Sequence, residues 1–122
     1  KISWGDFKAQ LSTSLGYTRY EAIVNQASTA DPVPTELLNE TDAVLTWTRD
    51  GVGSYIVTSS TPIFASNKLA FIAGTTNTST LSYISTDVLS TTQLSVRTVS
   101  HITSFQADSL LTNNFIEIRI YP

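Results

Sequence analysis

Hydrophobic and polar side chains alternate along much of this chain, most cleanly near its end. There Ile116, Ile118 and Ile120 fall on one side of an extended backbone, and Glu117 and Arg119 fall on the other. The pattern predicts a strand over 115–121 with the three isoleucines in a core and the two charges in water. The same period places Ala43, Leu45 and Trp47 on the core side of a strand over 43–49, with Thr46 and Thr48 opposite. Asp50-Gly51 and Gly53 then supply a turn, and Ser54-Tyr55-Ile56-Val57-Thr58 supplies the returning strand of a hairpin, because glycine takes positive φ without a side-chain clash.

Further strands are predicted over 20–26, 81–86 and 93–99. One over 68–73 is also expected, where the unbroken run Leu69-Ala70-Phe71-Ile72-Ala73 suggests a central strand covered on both faces. Pro32 and Pro34 fix two backbone angles and remove two amide donors, so residues 31–35 read as an extended connection outside the ladder. Ile63 and Phe64 are expected to pack back over one end of the sheet. Asp108-Ser109-Leu110-Leu111 allows either a single helical turn or an extended crossing.

Ahead of these strands, Trp4, Phe7, Leu11 and Leu15 recur at three-to-four spacing. They suggest a short amphipathic helix closed by Gly16, while an extended arm lying across another subunit has much the same composition. The expected organisation is an N-terminal helix or arm over 1–19 and an all-β domain over 20–122, an antiparallel β-sandwich or jelly roll of seven or so strands. The chain has no internal repeat, which argues against a solenoid or propeller.

Composition narrows the function. Charged residues are 14% of the 122 residues and apolar ones 41%, and the remainder leans on 19 Thr and 16 Ser. Branched residues favour strands, and such a balance is not that of a disordered chain. The net charge is −3, with the basic residues scattered at 1, 8, 19, 49, 68, 97 and 119, so a nucleic-acid footprint is absent. The chain has no Cys and therefore no disulfide, thiolate nucleophile or sulfur-bound zinc. No apolar stretch is long enough for membrane insertion as a helix, and Lys1-Ile2-Ser3-Trp4 lacks the marks of a signal peptide; a start at Lys rather than Met suggests a fragment or a processed product.

Candidate chemistry is sparse. Asp31, Asp50, Asp87 and Asp108 all lie at turns or connections, where carboxylates cap backbone amides more often than they work in acid–base pairs. His101 is the one histidine, read as hydrogen-bonded or solvated near a strand end, and it cannot by itself build a histidine-based metal site. Asp50-Gly51-Val52-Gly53 lacks the third glycine and following helix of a phosphate-binding fingerprint. No catalytic, cofactor-binding or metal-binding residue is therefore expected, and no enzyme. Asn39-Glu40-Thr41 and Asn77-Thr78-Ser79 match the N-glycosylation triplet, which arises readily by chance in so Thr-rich a chain. Trp4, Trp47, Tyr17, Tyr20, Tyr55, Tyr83 and Tyr121 are candidates for stacking on sugar rings where several are exposed together, with Trp47 and Tyr55 better suited to the core.

Two stretches carry a resemblance. Tyr20-Glu21-Ala22-Ile23-Val24-Asn25-Gln26-Ala27, with the Pro-bearing link and Ala43-Val44-Leu45-Thr46-Trp47-Thr48-Arg49-Asp50-Gly51-Val52-Gly53-Ser54-Tyr55, resembles a poorly characterised β-domain near the ends of phage and prophage tail-fibre-like proteins. The closing segment from Asp108 to Tyr121 looks like that family's closing pattern, so the similarity spans residues 20 to 121. The link departs from it, since Thr29-Ala30-Asp31-Pro32-Val33-Pro34 lacks the Gly-Thr element often found there, and the N-terminal portion has no counterpart. The resemblance implies a noncatalytic viral structural module of a tail, spike or head fibre. It implies location in the virion, self-association as a homotrimer, contact with other virion proteins, and presentation of loops to a host-surface glycan or protein. A purely architectural capsid component and a carbohydrate-active enzyme are the alternatives.

Overall fold

Side chains that alternate between apolar and polar make a strand stable only when one face is buried, so such segments must cover one another in layers. In the computed structural model, which describes residues 3–5, 16–75 and 82–122, they do so as two sheets. The strands are β1 (Thr18–Asn25), β2 (Val33–Asn39), β3 (Leu45–Gly51), β4 (Ser54–Ser59), β5 (Leu69–Thr75), β6 (Ser82–Val88), β7 (Gln93–Ser100) and β8 (Asn114–Ile120). One sheet has the order β2-β1-β8-β5 and the other β3-β4-β7-β6, with every neighbouring pair antiparallel. The expected all-β sandwich is therefore the fold.

Its core is the set of inward positions that the alternation marks. Tyr20, Ala22 and Val24 from β1 and Ile116 and Ile118 from β8 face Leu45 and Trp47 from β3, Tyr55 and Val57 from β4, and Leu94 and Val96 from β7. Ala43 is buried as expected, and Ile120 is partly buried at the rim. Phe64 closes one end, where the amides of Ile63 and Phe64 both donate to the Thr91 carbonyl. Trp47 and Tyr20 also meet across the sheets, the indole N–H donating to the phenol oxygen at 3.3 Å. Burial pushes the Tyr20 phenol above its ordinary pKa, so the group stays neutral in the core.

Several expectations are corrected. The Pro-bearing link is not outside the ladder: Val33–Asn39 pairs antiparallel with β1, Pro34 opposite Val24. Proline fits because β2 is an edge strand, where one side of the backbone needs no ladder partner. β5, expected at the centre, is the other edge of that sheet, and Ile72 and Ala73 are exposed. Glu117, expected in water, is buried; its carboxylate accepts the Arg119 Nε–H at 2.8 Å, which offsets its loss of solvent. β1 begins at Thr18, inside the segment assigned to the N-terminal helix or arm; of that segment Trp4 and Gly5 are helical, and residues 6–15 lie outside the described residues. Residues 108–111 make an extended crossing, in which the Leu111 carbonyl accepts the Gln26 amide at 2.9 Å and Leu111 is buried.

Ile118 is fully buried between the sheets while Ile120 is only partly covered. Ile118→Ala is expected to cost about 2–5 kcal/mol and Ile120→Ala distinctly less, measured by urea unfolding, because only the first leaves a closed cavity.

Candidate functional site

The register assigns the described connections to two ends. Val24 lies opposite Asn114, Gly51 opposite Ser54, and Ser82 opposite Ser100, so the β1–β2, β3–β4 and β7–β8 connections gather at one end. The connections 40–44, 60–68 and 89–92 occupy the other, together with Tyr17 and Tyr121, whose rings lie 5.3 Å apart.

At the first end a polar knot joins the two sheets. The Arg49 guanidinium grips the Asp108 carboxylate from β3, Nε at 3.2 Å from both oxygens and Nη2 at 2.8 Å from Oδ2. The Gly53 amide donates to Asp108 Oδ1 at 3.0 Å. The Tyr55 hydroxyl lies 3.1 Å from the same oxygen and 2.7 Å from Gln26 Oε1, and its single proton serves one acceptor at a time. Gln26, just past β1, also accepts the Ser109 amide at 2.7 Å and donates to the carbonyls of Ser28 and Ala30. Asp31 accepts the Arg49 amide at 2.8 Å.

Gly53 is the tight point. Its φ is +61°, and a Cβ there would sit 2.5 Å from the Ala107 nitrogen and 2.7 Å from the Thr98 oxygen, so only glycine fits. The chain turns at Val52-Gly53, two residues beyond the expected Asp50-Gly51. Against this glycine the end of β7 is held twice. The Thr98 amide donates to the Gly53 carbonyl at 2.9 Å, and the Thr98 hydroxyl donates to the Ala107 carbonyl at 2.8 Å.

The knot supports a tight turn at 100–105. The Ser100 amide donates to the Phe105 carbonyl and the Ser104 amide to the Ser100 carbonyl, both at 2.9 Å. The Ser100 hydroxyl accepts the amides of Ile102 and Thr103, and Thr103 Oγ1 accepts the Phe105 amide. Ser104 completes the reversal at φ 62°. This turn holds Ile102 89% exposed and Phe105 75% exposed. Beside it, Tyr83 on β6 is 60% exposed and meets His101 edge-on, ring centroids 5.5 Å apart, with Nδ1 3.0 Å from the phenol oxygen. The segment 98–107 contains no Asp, Glu, Lys or Arg. The turn thus holds two large apolar side chains in water on a hydrogen-bonded backbone, next to the Tyr83–His101 pair.

Asp31 and Asp108 are committed to the knot, and Asp50 is exposed on the hairpin. Asp87 is the sole acid lining a cleft of ≈ 260 Å³ between β5 and β6. No group of three or more His, Cys, Asp or Glu side chains among the described residues is placed to hold a metal. Asn39, of the first glycosylation triplet, spends its amide on the β2–β3 turn, donating to the Ala43 carbonyl at 2.7 Å and accepting from Thr41. The second triplet, at Asn77, lies outside the described residues.

Of the aromatic candidates, Tyr20, Trp47 and Tyr55 are core, Tyr17 is half-buried, and Trp4, Tyr83 and Tyr121 are exposed. Sequence reasoning weighed His101 and Tyr83 separately and passed over Ile102 and Phe105. The available signal was Ser100-His101-Ile102-Thr103-Ser104-Phe105, large apolar residues set among turn formers just past a strand. No protein-family model, curated protein or solved structure matches the chain.

The Arg49 bond, helped by the Gly53 amide and the Tyr55 hydroxyl, holds the Asp108 carboxyl below its ordinary 3.8 against the opposing effect of burial. A depressed carboxylate stabilises the fold fully above its unfolded value and loses that contribution as pH falls through its folded one. Burial meanwhile pushes Tyr55 up to about 12, so its contribution is complete below pH 10 and lost between 10 and about 12. Asp108→Asn is expected to cost about 1.5–3 kcal/mol at neutral pH in urea unfolding and to flatten the loss of stability below pH 4.

Proposed function

We propose that this chain is a noncatalytic structural module of a virion appendage, a tail, spike or head fibre, which self-associates as a homotrimer and contacts a host surface through its turn at 100–105. The resemblance of residues 20–121 to a tail-fibre β-domain supports the viral setting. The observation that supports the surface role is the exposure of Ile102 and Phe105 on a hydrogen-bonded turn beside the Tyr83–His101 pair, at the end opposite Tyr17 and Tyr121. Exposed apolar side chains on an ordered backbone are a normal sign of a covered surface. A glycan fits by stacking on Tyr83 and bonding to the surrounding hydroxyls, and a protein fits by covering Ile102 and Phe105. Three weak sites on one assembly hold a surface far more tightly than one site does.

A carbohydrate-active enzyme lacks support here because Asp87 stands alone as the acid in its cleft. A purely architectural component would share the fold without needing the exposed turn.

Purified protein is expected to bind host cells saturably, with no released sugar. Phe105→Ala or Tyr83→Ala is expected to lower that binding at least ~30-fold, as truncation of a hot-spot residue does. Competition by soluble host glycans would identify the receptor as carbohydrate. Absent binding with normal particle assembly would leave the architectural role, and a released sugar product would demand the enzymatic one.

A further inference from the structure

The two flanks of the sandwich treat their edge strands differently. On the β2/β3 flank, β2 carries Pro34 and Glu36 and its pairing with β1 is broken by a register shift between Glu21 and Ala22. β3 ends in Arg49 and Asp50 with a second shift, and the Asp31 carboxylate occupies the outward Arg49 amide. Proline, charge, bulges and a crossing loop are the devices by which natural sheets prevent pairing between copies.

Among the described residues, the β5/β6 flank has few of them. Leu69–Thr75 reads Leu-Ala-Phe-Ile-Ala-Gly-Thr, with no charge and no proline, and pairs with β8 without a break from Leu69↔Ile120 to Thr75↔Asn114. Ile72 is 38% exposed, and beside the strand the sheets part over the ≈ 260 Å³ cleft walled by Leu69, Phe71, Val88 and Leu94. The adjoining β6 contributes one charge, Asp87. A straight, uncharged strand edge offers backbone donors and acceptors to another extended strand, and the neighbouring cleft offers an apolar side chain a seat.

We infer that the β5 edge, with the cleft beside it, is the contact between copies of this chain. A second copy is the occupant because the devices that prevent self-pairing are concentrated on the opposite flank. β5 itself carries no charge, and the cleft beside it holds the single carboxylate of Asp87. This face is separate from the turn at 100–105, and the inference stands whether or not that turn binds a host surface.

The test is sedimentation of the whole chain at micromolar concentration. The unaltered protein is expected at a multiple of its 13.3 kDa mass. Ile72→Lys, which sets a charge at the contact, is expected to weaken association at least ~100-fold while keeping the strand-type circular dichroism of the fold. Thr35→Lys on the β2 edge is expected to leave the assembly intact. Should Ile72→Lys fail to fold, Ala73→Lys, at an exposed position of the same strand, gives the same readout. A monomeric unaltered protein, an Ile72→Lys or Ala73→Lys variant that folds and assembles normally, or dissociation by Thr35→Lys would overturn the inference.

Discussion

The Asp108 carboxylate is the constraint on which one end of this molecule depends. It comes from the long β7–β8 connection and accepts from Arg49 on β3 and Gly53 in the hairpin turn, while the Tyr55 hydroxyl on β4 donates either to it or to Gln26 beyond β1. Apolar packing holds the two sheets face to face but has no direction, so it fixes neither where a loop leaves the sandwich nor how it turns. Charge-assisted hydrogen bonds do have direction, and an acceptor shared by groups from different elements orients them all. Because Ala107 packs on Gly53 and bonds to Thr98, the orientation set at Asp108 passes to the base of the turn at 100–105.

That arrangement explains how an uncharged loop keeps Ile102 and Phe105 in water. A flexible loop would fold such side chains onto the nearest apolar surface; a turn bonded through Ser100, Thr103 and the backbone cannot. The division between the ends serves the same purpose. Tyr17 and Tyr121 pair at the end away from the turn at 100–105. The flanks divide similarly, one edge pair crowded with proline, charge and a crossing loop, the other left smooth.

Much of the sandwich was legible because a strand with one buried face writes its burial in every second residue. Ala43, Leu45, Trp47, Ile116 and Ile118 were identified this way, and all five are core. The same rule misplaced β5, whose unbroken apolar run reads like that of a central strand; its outward residues are partly exposed on an edge that lacks the usual polar cover. β2 was missed for the converse reason, since proline weighs against a strand unless the strand is known to be an edge, and that is a property of the whole sheet. Glu117 was read as wet from its alternation, but a neighbouring strand on each side and the Arg119 guanidinium enclose it. The knot was the least legible feature. Asp108 and Arg49 lie 59 residues apart, and nothing local marks either as the other's partner.

Hydrogen–deuterium exchange on an Asp108→Ala variant tests the central claim most directly. The account predicts faster exchange at Gly53, Thr98, Ala107 and Ser109, whose amides are bonded in or beside the knot. Ser59, Ile63 and Phe64, bonded at the opposite end, should keep their protection. Unchanged protection around Gly53 and Ala107, or an equal loss at both ends, would contradict a carboxylate that organises one end of the sandwich.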